Sequence, residues 1–98
     1  IDGTGNRVAA MAWARNRIIF VVGINKVSRD VDAALQRIRD VATPLNAISK
    51  GADLPCVKTG FCVDCRVSGR YCRATLVLER TPLGREAHVI IVGENLGY

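Results

Sequence analysis

The sequence predicts an α/β domain built on a mixed sheet, and three patterns carry that expectation. Ile18 to Val22 reads IIFVV, an unbroken β-branched and aromatic run. Val31 to Leu45 repeats apolar residues at steps of three and four, and two strand-like runs, Ala74 to Glu79 and Ala87 to Val92, follow near the end. A chain of 98 residues that is 49% hydrophobic has the size of one small domain, so residues 1–98 are read as a single unit. Its opening, Ile1-Asp2-Gly3-Thr4-Gly5, reads as a strand end running into a Gly-rich turn, which suggests a part of a larger domain.

Taken in order, Asp2 to Asn6 is expected to turn, because glycines on both sides of Thr4 relieve the backbone. The alanines of Val8 to Trp13 favour helix after it. The run Ile18 to Val22 suits a pleated surface, and its lack of alternation predicts a strand buried on both faces. Next, Val31, Ala34, Leu35, Ile38, Val41, Ala42 and Leu45 fall on one helical face, while Asp32, Gln36, Arg37, Arg39 and Asp40 take the other. Ser28 or Asp30 can cap this amphipathic helix. Pro44 is expected to kink or end it, since a proline there cannot bond the carbonyl of Asp40.

Ser49 to Arg73 shows no sustained period and holds all four cysteines with Gly51, Pro55, Gly60 and Gly69. It reads as a long irregular excursion, a Cys-rich loop at about residues 51–73, of a length that is usually functional or held by something. Ala74 to Glu79 and Ala87 to Val92 are joined by the turn-rich Arg80-Thr81-Pro82-Leu83-Gly84-Arg85, which predicts an antiparallel hairpin. Gly93 to Tyr98 is read as a terminal turn. Three strands are few for an independent core, so the unfinished sheet predicts self-association or a partner subunit.

The net charge of +5 and a pI near 9.4 raise the question of nucleic acid. The arginines are scattered from Arg7 to Arg85, and the five aromatics do not alternate with them, so neither a charge run nor a stacking platform exists. The longest apolar run, Ile18 to Gly23, has six residues against the roughly 20 that a membrane span needs. No membrane insertion is expected, and no signal-peptide pattern precedes the first elements.

The densest cluster of reactive side chains is Cys56-x5-Cys62-x2-Cys65-x6-Cys72. A C-x-x-C pair lets two thiolates chelate one ion from a tight turn, and two outlying cysteines could complete a zinc site or hold an iron-sulfur cluster. The spacing matches neither a standard zinc finger nor a standard ferredoxin, so a redox pair of Cys62 with Cys65 and reduced structural thiols stay open. Lys58, Arg66, Arg70 and Arg73 outnumber Asp53 and Asp64 around the cluster, which is expected to lower thiol pKa values. The lone His88 lies in an expected strand and reads as structural, and one histidine supports no Ser-His-Asp arrangement.

Two turns are candidate ligand sites. Gly3, Thr4, Gly5, Asn6 and Arg7 could offer backbone N–H groups and a guanidinium to a small anionic metabolite, against the bland reading of a tight turn with an exposed arginine. Asn25 and Lys26 follow the expected buried strand, where ligands gather in α/β folds.

Together, Asp2-Gly3-Thr4-Gly5-Asn6-Arg7-Val8-Ala9-Ala10, Val22-Gly23-Ile24-Asn25-Lys26, Pro55-Cys56-Val57-Lys58-Thr59-Gly60-Phe61-Cys62-Val63-Asp64-Cys65 and the ending Val92-Gly93-Glu94-Asn95-Leu96-Gly97-Tyr98 resemble the lactate-utilisation (LUD) domain family. The match covers the whole chain as the C-terminal half of such a domain, in the branch with a four-cysteine loop. The resemblance implies a Rossmann-like α/β sheet, similar to the sugar-phosphate isomerase and CoA-transferase group, in a cytoplasmic bacterial protein linked to lactate oxidation. It implies no defined catalytic step. It places Gly3 to Arg7 in the pocket and Cys56, Cys62, Cys65 and Cys72 in the cysteine loop. The alternative is a non-catalytic partner-docking module with a structural zinc or reduced thiols.

Overall fold

The computed structural model describes residues 1–98, which divide into two compact units. The first holds Ile1–Val27 with Arg73–Gly97, and the second holds Ser28–Cys72 with Tyr98.

In the first unit, α1 (Asn6–Ala12) leads to β1 (Arg17–Gly23), which pairs in parallel with β2 (Glu86–Val92). Both strands are rich in valine and isoleucine, whose branched side chains fit a pleated surface. Arg17 stands opposite Glu86 and Gly23 opposite Val92, and an Arg17–Glu86 ion pair of 2.7 Å marks the start of the ladder. That pair is solvent-exposed, so it helps to fix register more than it adds stability. Ile18 is buried, whereas Ile19 and Val21 keep 57% and 62% of their surface exposed. The expectation that β1 is covered on both faces is therefore corrected. Alternate residues of a strand point to opposite sides, and only the side carrying Ile18, Phe20 and Val22 is substantially covered.

The expected antiparallel hairpin does not form. β2 runs parallel to β1, and Ala74 to Glu79 makes one antiparallel bridge, Ala74 with Asp2, closed by two hydrogen bonds of 2.8 Å. Residues 74–79 keep a strand-like alternation, with Leu76 and Leu78 half-buried beside exposed Thr75 and Val77. Alternation reports a face but not a neighbour, and here Leu76 and Leu78 meet Met11 and Phe20 around a cavity of about 230 Å³. The link does turn, with Gly84 at φ 72° and Arg85 N–H bonded to Pro82 O. It delivers the chain to Asn16, whose carbonyl accepts from Glu86 N–H at 2.9 Å, rather than back along residues 74–79.

The second unit opens with α2 (Val31–Arg37), capped by Asp30, whose Oδ1 accepts the Ala33 N–H at 2.7 Å. The helical path then widens into a π turn (Ile38–Ala42) and continues as α3 (Thr43–Ser49). Pro44 thus neither ends the helix nor stops it at Leu45. In the π turn the Thr43 N–H reaches back to Ile38 O, so the pairing is already shifted when the proline arrives, and no bond from residue 44 to Asp40 is required. A short helix, α4 (Pro55–Thr59), interrupts the stretch expected to be irregular. Pro55 presets its first turn and Gly60, at φ 80°, ends it. Ala47, Leu54 and Cys56 form the buried centre, with Ala52, Val57 and Tyr71 packed on it. No helix is long and apolar enough to cross a membrane.

Candidate functional site

The four cysteines reach one place by different routes. Cys56 sits on the core face of α4 and is buried, while Cys62, Cys65 and Cys72 come from the irregular backbone that follows and are half-buried. All four line a single cavity of about 20 Å³, walled also by Leu54, Tyr71 and the Arg39 and Arg70 side chains. That volume suits one water-sized species.

The loop is shaped by charged side chains bonding to its backbone. Asp40, on the π turn, accepts the Cys62 N–H through Oδ1 at 3.1 Å. Arg70 donates through Nε to Cys72 O at 2.7 Å and through Nη1 to Cys65 O at 2.6 Å, and it pairs with Asp64 at 2.8 Å. Hydrogen bonding from Arg70 and then its charge hold the Asp64 carboxyl below the ordinary carboxylate value, with help from Arg39 and Arg66. The Cys72 thiol donates to Thr43 Oγ1 at 3.6 Å, and the Asp64 N–H points to Cys62 Sγ at 3.4 Å.

All four cysteines are free. The Cys56 thiol is pushed up from its ordinary value, by burial first and then by the neighbouring Cys65, Cys72 and Cys62. For Cys56 this reverses the expectation that nearby cations lower thiol pKa values. The reason is geometric: Lys58 turns to Asp53 at 2.9 Å, and Arg70 spends its donors on carbonyls and on Asp64. No group of three or more His, Cys, Asp or Glu side chains is arranged to hold a metal ion, so the sulfurs share a cavity without converging as a ligand set.

The Gly3–Arg7 turn is already supplied with an anion by the chain itself. The Asp2 carboxylate accepts the Arg7 N–H at 2.9 Å and the Thr4 N–H at 3.4 Å, while Asn6 Oδ1 accepts from Thr4 Oγ1 and Arg7 N–H. These bonds, the one from Arg7 foremost, hold the Asp2 carboxyl below its ordinary value. The Arg7 side chain remains exposed. Asn25 and Lys26 lie in a 3-10 turn (Ile24–Lys26) after β1. Asn25 works as a clasp there: its Oδ1 accepts from Leu96 N–H and its Nδ2 donates to Gly97 O, each at 3.2 Å. His88 is exposed and rests 3.4 Å from Glu86.

Sequence reasoning did not single out Asp40 or Thr43 as partners of the cysteines. Asp40 stood on the polar face of the helix, and only the fold brings it to Cys62, 22 positions away. A family model described as the LUD domain matches residues 1–92. No curated protein sequence matches the chain, and no solved structure does.

Proposed function

This chain belongs to the LUD domain family, and on that premise we propose that its lactate-utilisation-related role is exerted through the four-cysteine cavity, which takes up one thiophilic divalent ion. The observation that carries this reading is that all four cysteines line one small cavity. A zinc or ferrous ion has the size of that space, whereas a cluster of several irons and sulfides would have to force it open. Arg39 and Arg70 in the wall would offset part of the charge of four thiolates. Because no three ligands are set around one point, binding draws the sulfurs inward, and the irregular backbone from Phe61 to Cys72 is where that movement is taken up. A cytoplasmic setting, where thiols stay reduced, goes with this reading.

Metal analysis of the purified protein tests it. About one equivalent of zinc or iron is expected, falling on Cys62→Ser with Cys65→Ser; unchanged metal content in that double variant removes the reading.

The absence of a preformed ligand set favours a second reading, a non-catalytic docking module with four reduced structural thiols. Its docking part is supported by the apolar residues Ile19, Val21 and Ile90, which share one face of the sheet and are all more than half exposed. Metal-free protein with four titratable thiols would favour it.

A further inference from the structure

The two most exposed large apolar side chains are Leu83, at 97%, and Trp13, at 79%. They stand on different connections of the first unit that enter the sheet at the same end. Residues 13–16 lead into Arg17 of β1, residues 80–85 lead into Glu86 of β2, and Arg17 stands opposite Glu86. Two contacts join the connections: the Glu86 N–H bonds to Asn16 O at 2.9 Å, and the Arg85 guanidinium lies over the Trp13 ring, 5.3 Å from its centre.

Both apolar groups are held outward by ordered backbone. Trp13 follows α1 with its N–H on Ala9 O, and Leu83 stands on a turn closed by the Arg85 N–H to Pro82 O, where Gly84 takes φ 72°. One exposed leucine is ordinary, but an indole and a leucine presented together from two joined turns form a tip. Residues 13–16 and 80–85 hold three arginines, Arg15, Arg80 and Arg85, and no acidic residue. Of the flanking carboxylates, Glu79 and Glu86, the second is paired with Arg17. An apolar tip among arginines matches a surface that is anionic outside and apolar beneath, which is a bilayer of acidic phospholipid. A nucleic-acid strand fits less well, because Arg85 already covers one face of the only indole and leucine has no ring on which a base can stack.

We propose that this end of the sheet attaches the protein to anionic membrane surfaces, with Trp13 and Leu83 entering the headgroup boundary and Arg15 and Arg80 meeting lipid phosphates. The protein lies on the bilayer and does not span it, in keeping with helices too short to cross. Attachment uses no cysteine, so its failure and the failure of the metal reading are separate outcomes.

Trp13 is the only tryptophan, so its fluorescence reports the tip directly. The protein is titrated with vesicles of equal parts phosphatidylcholine and phosphatidylglycerol, with pure phosphatidylcholine vesicles, and with a single-stranded oligonucleotide. Co-sedimentation with the anionic vesicles is expected, with Trp13 emission moving to shorter wavelength, and binding should weaken as salt rises. Arg15→Gln and Arg80→Gln should each weaken it about fivefold, the worth of one basic residue near such a surface, and Leu83→Ser by about tenfold or more. Lys50→Gln, the same charge change in the other unit, should leave it unchanged. All four positions are exposed, so the variants should fold, and circular dichroism verifies that. No vesicle binding, equal binding to pure phosphatidylcholine, or binding without a change in Trp13 emission would overturn the proposal. So would full binding by Leu83→Ser, a loss in Lys50→Gln equal to that in Arg15→Gln, or a Trp13 response to the oligonucleotide alone.

Discussion

Gly23→Ala should destabilise the first unit by about 2–3 kcal/mol, and the cause can be traced atom by atom. Gly23 is buried at the end of β1, with φ −71° and ψ 154°, a conformation that alanine adopts freely. Backbone strain therefore contributes nothing, and the effect is one of space. An added Cβ would lie 2.5 Å from Asn25 Oδ1, 2.5 Å from Leu96 N and 2.6 Å from Glu94 O. To restore ordinary contact of 3.4 Å, the Glu94–Leu96 backbone and the Asn25 side chain must retreat by about 0.8–0.9 Å. That movement breaks the Ile24 N–H to Glu94 O bond of 3.1 Å and the two Asn25 bonds to Leu96 and Gly97. Three bonds at roughly 1 kcal/mol each, reduced because the Asn25 pair is exposed, give the stated figure. Urea unfolding followed by circular dichroism measures it, and Asn25→Ala, which removes two of the bonds without a clash, should cost less. A Gly23→Ala protein as stable as wild type would refute the packing of the tail against β1.

Four further outcomes follow from the same structure. Asp2 has a folded pKa below its ordinary 3.8, so its contribution is complete above that value and is lost as pH falls through the depressed one. Protection of the Arg7 amide against hydrogen exchange should fall only as pH drops below 3.8, and Asp2→Asn should abolish that dependence. Arg70→Gln frees the carbonyls of Cys65 and Cys72, so alkylation of Cys62 and Cys65 should accelerate. Arg70→Lys should not restore the wild-type rate, because one ammonium cannot span two carbonyls and Asp64 as the planar guanidinium does. The apolar sheet face predicts association, so sedimentation should find species larger than 10.6 kDa; a monodisperse 10.6 kDa particle speaks against it.

Much of the architecture is readable in the residues wherever the signal is local. The IIFVV run specifies β1, the three-and-four spacing from Val31 specifies the helical path, and Asp30 is a cap by its chemistry. What escapes is pairing. Residues 74–79 alternate as a strand should, yet partner choice depends on where Glu86 meets Asn16, which no local pattern encodes. The π turn is hidden for a related reason, since Pro44 announces a conflict with the helix but not how the preceding turn resolves it. At the candidate site, the spacing of Cys56, Cys62, Cys65 and Cys72 marks a cluster, and the fold does bring them to one cavity. The sequence could not reveal that Arg70 hydrogen-bonds the carbonyls of the cysteine loop, or that Asp2 occupies the seat expected for an outside anion.

The most direct examination of the cysteine cavity is X-ray absorption at the zinc and iron edges of the purified protein. A shell of about four sulfur atoms near 2.3 Å around a single ion is the expected result. An absorbing ion surrounded only by nitrogen or oxygen, or a protein with no ion and four freely titrating thiols, would contradict it.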